Sequence, residues 1–139
     1  MHSDDSDRLS SIYVPLRLVY GLTPLIAGLD KFLNLLTDWD KYLPSVLVQS
    51  LPVSASSFMH MVGIIEIIAG LAVLTSFTRL GAYVVMAWLV LIAANLVVAG
   101  YLDIAVRDLV MAVGAYALGQ AAALRNERWI PFAPQTRTA

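Results

Sequence analysis

The stretch RLVYGLTPLIAGLDKF, Arg17 to Phe32, decides how the rest of the chain is read. Arg17, Gly21, Pro24, Gly28 and Lys31 follow one another at steps of four and three, the spacing of one face of an α-helix. That face is charged or small. Lipid would reject it and a neighbouring helix would accept it, since small residues allow close approach and a charge inside a membrane needs a partner. From Leu9 to Leu36 the chain is apolar apart from Arg17, Asp30, Lys31, Asn34 and a few small polar side chains. Crossing a bilayer takes about 20 residues. A first membrane helix is therefore expected over residues 9–36, kinked near Tyr20 because Pro24 removes a backbone donor.

Composition agrees. Of 139 residues 59% are hydrophobic and 14% charged, where soluble domains carry about 25% charged residues. Mean hydropathy is +0.74. The net charge of -1 and the scattered Lys and Arg give no case for nucleic acid. The absence of cysteine removes disulfides, thiolate metal sites and CxxC chemistry. The two histidines, His2 in the tail and His60, do not suit a haem held between membrane helices, and His60 with Glu66 lacks metal-site spacing. No GxSxG, Walker or dinucleotide-binding pattern occurs. The sequence holds no self-sufficient catalytic centre. The acidic start MHSDDSDR is unlike a cleavable signal, so the first apolar segment is expected to be retained.

Three further spans are expected at 58–77, interrupted by Glu66, at 80–100, with Asn95 its only strongly polar residue, and at 104–124, which draws Arg107 and Asp108 into the membrane edge. Residues 1–8 read as a frayed polar tail and 125–139 as a basic one, with Trp129 an interface anchor. Short connections make consecutive helices antiparallel neighbours. The fold class is thus an all-α, antiparallel four-span bundle. Between the first two spans, Trp39, Tyr42, Pro44 and Pro52 surround the short apolar run Val46-Leu47-Val48. This segment reads as interfacial or partly re-entrant, or as an ordinary surface loop. Four spans put both termini on one side with Arg8, Arg79, Arg125, Arg128 and Arg137, against Lys31, Lys41 and Arg107 opposite. That bias predicts cytoplasmic termini.

The ionisable residues fall on small-residue faces. Glu66 has Gly63, Ala69 and Gly70 within a turn, and Asp108 shares its face with Ala112, Ala115, Gly119 and Ala122. At about 1.5 Å per residue, Asp30, Lys31, His60, Asn95, Asp103, Arg107 and Asp108 form a polar cluster near the outer mouth. Glu66 lies nearer the middle and Arg17 in the opposite half. Two readings stand. In one, Lys31 with Asp30 or Glu66, and Arg107 with Asp103 or Asp108, are ion pairs that fix helix register, while Arg17 snorkels to headgroups. In the other, Arg17, Glu66, Asn95 and tryptophans such as Trp88 line a lipid-facing pocket for a quinone or small anion. An internal echo, GLTPLIAGL at 21–29 and GIIEIIAGL at 63–71, fits chance or duplication.

The early arginine, GLDKF, the glutamate of GIIEIIAG, the R-x-G-A opening at Arg79 to Ala82 and V-R-D-L at 106–109 together resemble the DoxX-like family over roughly residues 12–124. The resemblance implies a small four-helix protein of the bacterial inner membrane. Some relatives are membrane subunits of thiosulfate:quinone oxidoreductases, and others associate with oxidative-stress or sulfur-metabolism proteins. It also marks Arg17, Asp30, Lys31, Glu66, Arg107 and Asp108 as the family's polar positions. Branches with a thiol-redox role use cysteines, which this chain lacks. The leading expectation is a membrane subunit or anchor of a respiratory redox complex. It would contact lipids, other subunits and a non-covalently bound quinone, with a homo-oligomer through Ala115, Gly119 and Ala123 a further possibility. The alternatives are a carrier or channel for a small solute or proton, and a structural assembly factor without ligand.

Overall fold

The structure, a computed structural model, describes residues 3–131, with side chains from Asp5 onward. Arg137, counted in the charge bias, lies outside the described residues. Regular structure among the described residues is helical throughout: α1 (Ser3–Asp30), α2 (Ser45–Ser50), α3 (Ala55–Leu74), α4 (Thr78–Ala99) and α5 (Leu102–Leu124), with a 3-10 turn at Trp39–Tyr42. Segments of α1, α3 and α4 are long and apolar enough to cross a membrane. Their outer faces suit lipid. Ile26, Ile68, Val98 and Val113, one on each long helix, are all more than half exposed, and such a coat in water would mark an aggregating surface.

The first helix differs from the expected 9–36 at both ends. It begins at Ser3, so the residues expected as a frayed tail are helical from there, and Asp5 and Asp7 suit the positive end of the helix dipole. It runs through Pro15 and Pro24 without a break and stops at Asp30. The stop has a local cause. The Asp30 carboxylate accepts from the amides of Leu35 and Leu36 at 3.0–3.2 Å, folding the chain back on the helix end, and Asn34 takes a left-handed φ of 49° in that turn. The expected helical residues Lys31 to Leu36 therefore form turns. Ser54 caps α3 by accepting from the Ser57 amide, which sets that helix three residues ahead of the expected Phe58.

The long helices form two close pairs, α1 with α3 and α4 with α5, and the pairs meet more loosely. Backbone approach makes the first pair. A Cβ on Gly28 would stand 2.5 Å from the Gly63 carbonyl, one on Gly63 2.7 Å from the Gly28 carbonyl, and one on Gly70 2.6 Å from the Gly21 carbonyl. The sequence echo thus sets like against like: two glycines seven apart on α1 cross two glycines seven apart on α3. In the second pair Gly119 lies under the Tyr83 ring and Ala115 is fully buried. Those two members of the small stripe are already used inside the chain.

Candidate functional site

Lys31 and Phe32 of GLDKF both reach across to α3. Lys31, just past the end of α1, turns inward, and its Nζ donates to Glu66 Oε2 at 2.5 Å. Both side chains are almost sealed from solvent. Lys31 Nζ also lies 3.7 Å from the centre of the Trp39 ring, a cation–π contact that gains strength when desolvated. The Trp39 indole N–H donates to Asp30 Oδ2 at 2.8 Å. Asp30 therefore does not pair with Lys31. It holds the turn and the tryptophan that covers Lys31. Phe32 stacks on His60 with ring centres 4.8 Å apart.

Glu66 sits about mid-way along α3. Its other oxygen, Oε1, receives the Trp88 indole N–H from α4 at 3.5 Å, a long contact. Beside this group lies a cavity of about 520 Å³. Its walls come from all four long helices and from the connection between α1 and α3. The α1 side is the stripe Tyr20, Pro24, Ala27 and Lys31, and Trp39 and Tyr42 close one end. The volume lies within the roughly 300–1,000 Å³ of ordinary ligand pockets, which are apolar with a few placed polar groups. Here the charged lining groups are Lys31, Glu66 and Asp108.

The site residues anticipated from sequence fall into four sets. Glu66, Trp88, Asn95, Lys31 and Asp108 all line the cavity. Asn95 also has a structural bond, its Nδ2 donating to the Tyr42 carbonyl at 2.9 Å and tying the connecting segment to α4. Asp30 and His60 do not line it and make the contacts already described. Asp103 and Arg107 are exposed on α5 and form no ion pair with each other among the described residues.

Arg17 is elsewhere. Its Nε donates to the Val73 carbonyl at 3.1 Å and one terminal nitrogen to those of Leu74 and Thr75 at 2.7 and 2.8 Å. Helix termini leave carbonyls unsatisfied, and the planar guanidinium fork fits several at once. Arg17 is thus neither in the pocket nor snorkelling. It caps the end of α3, where Thr78 Oγ1 also donates to the Val73 and Thr75 carbonyls.

Sequence reasoning missed Tyr20, Trp39 and Tyr42 as cavity walls. For Tyr20 the signal was present: it leads to Pro24, Ala27 and Lys31 by steps of four, three and four. Trp39 carried none, because its position depends on how Asp30 folds the following turn.

Neither the comparison with curated proteins nor that with solved structures yields a match. The DoxX family model matches residues 12–100, which include Arg17, GLDKF, Glu66, Trp88 and Asn95. The match stops short of α5, so V-R-D-L lies outside it. With most of the chain matched and its helices apolar enough to cross a membrane, this is a membrane protein that belongs to the DoxX family.

Proposed function

We propose that this chain is a small integral membrane subunit or anchor of a respiratory redox complex, and that its central cavity receives the ring of a quinone. All four long helices cross the bilayer in this reading, α5 as the fourth. The segment from Trp39 to Ser50 lies in the headgroup zone, where aromatics and prolines are at home. Both termini face the cytoplasm of a bacterial inner membrane.

The observation that carries the reading is the cavity itself: apolar space inside a membrane bundle, walled by Tyr20, Trp39, Tyr42 and Trp88, with few polar groups. A quinone is a flat apolar ring whose carbonyls need donors. The Trp88 N–H, only loosely held by Glu66 at 3.5 Å, can supply one. Electrons would come from a partner subunit. The test is gentle extraction from native membranes, followed by mass spectrometry of co-purifying proteins and lipids. A stoichiometric redox protein with bound quinone is expected. A lone, quinone-free bundle would overturn the assignment.

A further inference from the structure

The polar groups of the cavity are not equally free to meet a ligand. Lys31 and Glu66 are closed on each other, with the Trp39 ring against the ammonium and the Trp88 N–H against the carboxylate. Asn95 is bonded to Tyr42. The lining groups without a hydrogen-bond or ion-pair partner among the described residues are the Asp108 carboxyl from α5 and the hydroxyls of Tyr20, Thr23, Thr37 and Tyr42. A hydroxyl donates or accepts and therefore does not discriminate between ligands. An ionised carboxylate only accepts, and it does discriminate.

Charge counting points the same way. Among the charged lining groups Lys31 balances Glu66, which leaves Asp108 as the carboxylate without a counter-charge. Asp108 is only partly buried, and in its ionised form it needs hydrogen bonds from whatever enters. A quinone presents only acceptor oxygens and would set them against another acceptor. A quinol presents O–H donors.

We infer that the cavity is built to bind the reduced, hydroxyl-bearing form of its ligand, with Asp108 accepting a hydrogen bond from a quinol hydroxyl. This rests on the quinone-class reading above and adds the redox state that the site prefers. Asp108 is the specificity-determining group, and the Lys31–Glu66 pair lines the same cavity.

The test is anaerobic equilibrium binding of decylubiquinol and decylubiquinone to the purified full-length chain in detergent at about pH 8, where the carboxylate form is favoured. Wild type should bind the quinol more tightly. Asp108→Asn, of the same shape but able to donate, should weaken quinol binding by about tenfold, the loss of one charge-assisted hydrogen bond. It should leave quinone binding unchanged or tighter. Asp108→Glu, which keeps the acceptor, should retain the quinol preference. Because the readout is a ratio between two ligands on one protein, a loss of folded material does not mimic it. Equal binding of both forms, or a preference that Asp108→Asn leaves intact, overturns the inference and leaves the quinone reading standing. If wild type binds neither form, the quinone reading itself falls.

Discussion

Lys31 Nζ lies 2.5 Å from Glu66 Oε2, half-way down α3 and out of reach of solvent, so the α1–α3 pair is locked by a charge pair inside its own span. Removing one partner of a buried pair leaves an uncompensated charge and costs about 3–5 kcal/mol, whereas replacing both with apolar groups is often neutral. Lys31→Met should therefore lower the thermal transition in detergent strongly. The double variant Lys31→Met with Glu66→Met should recover much of that loss. Additive losses in the double-mutant cycle would show that the pair carries no coupling.

The crossing of Gly28 and Gly63 gives a second expectation. A methyl on either meets the other's carbonyl at 2.5–2.7 Å, and backbone on both sides cannot yield as a side chain can. Gly100, by contrast, has open space around it and a φ of 87° at the end of α4. There alanine should cost only about 1 kcal/mol, the penalty of a left-handed backbone. Gly63→Ala should be distinctly worse than Gly100→Ala when the melting of the two variants is compared. The reverse order would mean that α1 and α3 are not in contact at this crossing.

Arg17 offers a test of shape against charge. If its role is to cap α3 through a fork of donors, Arg17→Lys keeps the charge and loses the fit. Lysine should then be nearly as destabilising as glutamine at this position, and neither should change ligand affinity at the distant cavity. Full stability with lysine would return Arg17 to the role of a simple surface charge.

At the same end of the bundle, the Tyr13 hydroxyl donates to Glu127 Oε1 at 2.5 Å and Arg79 lies 4.2 Å from the centre of the Trp129 ring. These contacts hold the segment after α5 against the helices. Tyr13→Phe removes one hydrogen bond, worth about 1 kcal/mol. Amide exchange around residues 126–130 should quicken while that in the centre of α5 stays as it was. Unchanged exchange at 126–130 would mean that Tyr13 does not hold the segment.

Much of this was legible because membrane helices declare themselves by length and hydropathy, and because small residues at steps of three and four mark where helices touch. Glu66 and Asp108 could be assigned to an interior from their small-residue faces alone. Arg17 could not be placed, since a charge near a helix end reads equally as a ligand, a snorkelling group or a cap. What separates these is the register of α3, where Leu74 ends opposite it. The fates of Asp30 and Trp39 were equally hidden. Both depend on a turn that forms because one carboxylate meets two particular amides, a three-dimensional event without periodicity. The Asp103–Arg107 pair fails for a related reason: correct spacing on a helix permits a contact between exposed side chains without making it worth forming.

The most direct measurement is the binding of decylubiquinone to the purified protein, followed by tryptophan fluorescence. The chain has three tryptophans, and replacing Trp129 with phenylalanine leaves the two cavity tryptophans, Trp39 and Trp88, as the emitters. Saturable quenching is expected, with affinity falling at least about tenfold, roughly 1.4 kcal/mol, when Ala27→Phe fills the cavity from α1. Quenching that never saturates, or an affinity that Ala27→Phe leaves unchanged, would contradict the assignment of this cavity as the ligand site.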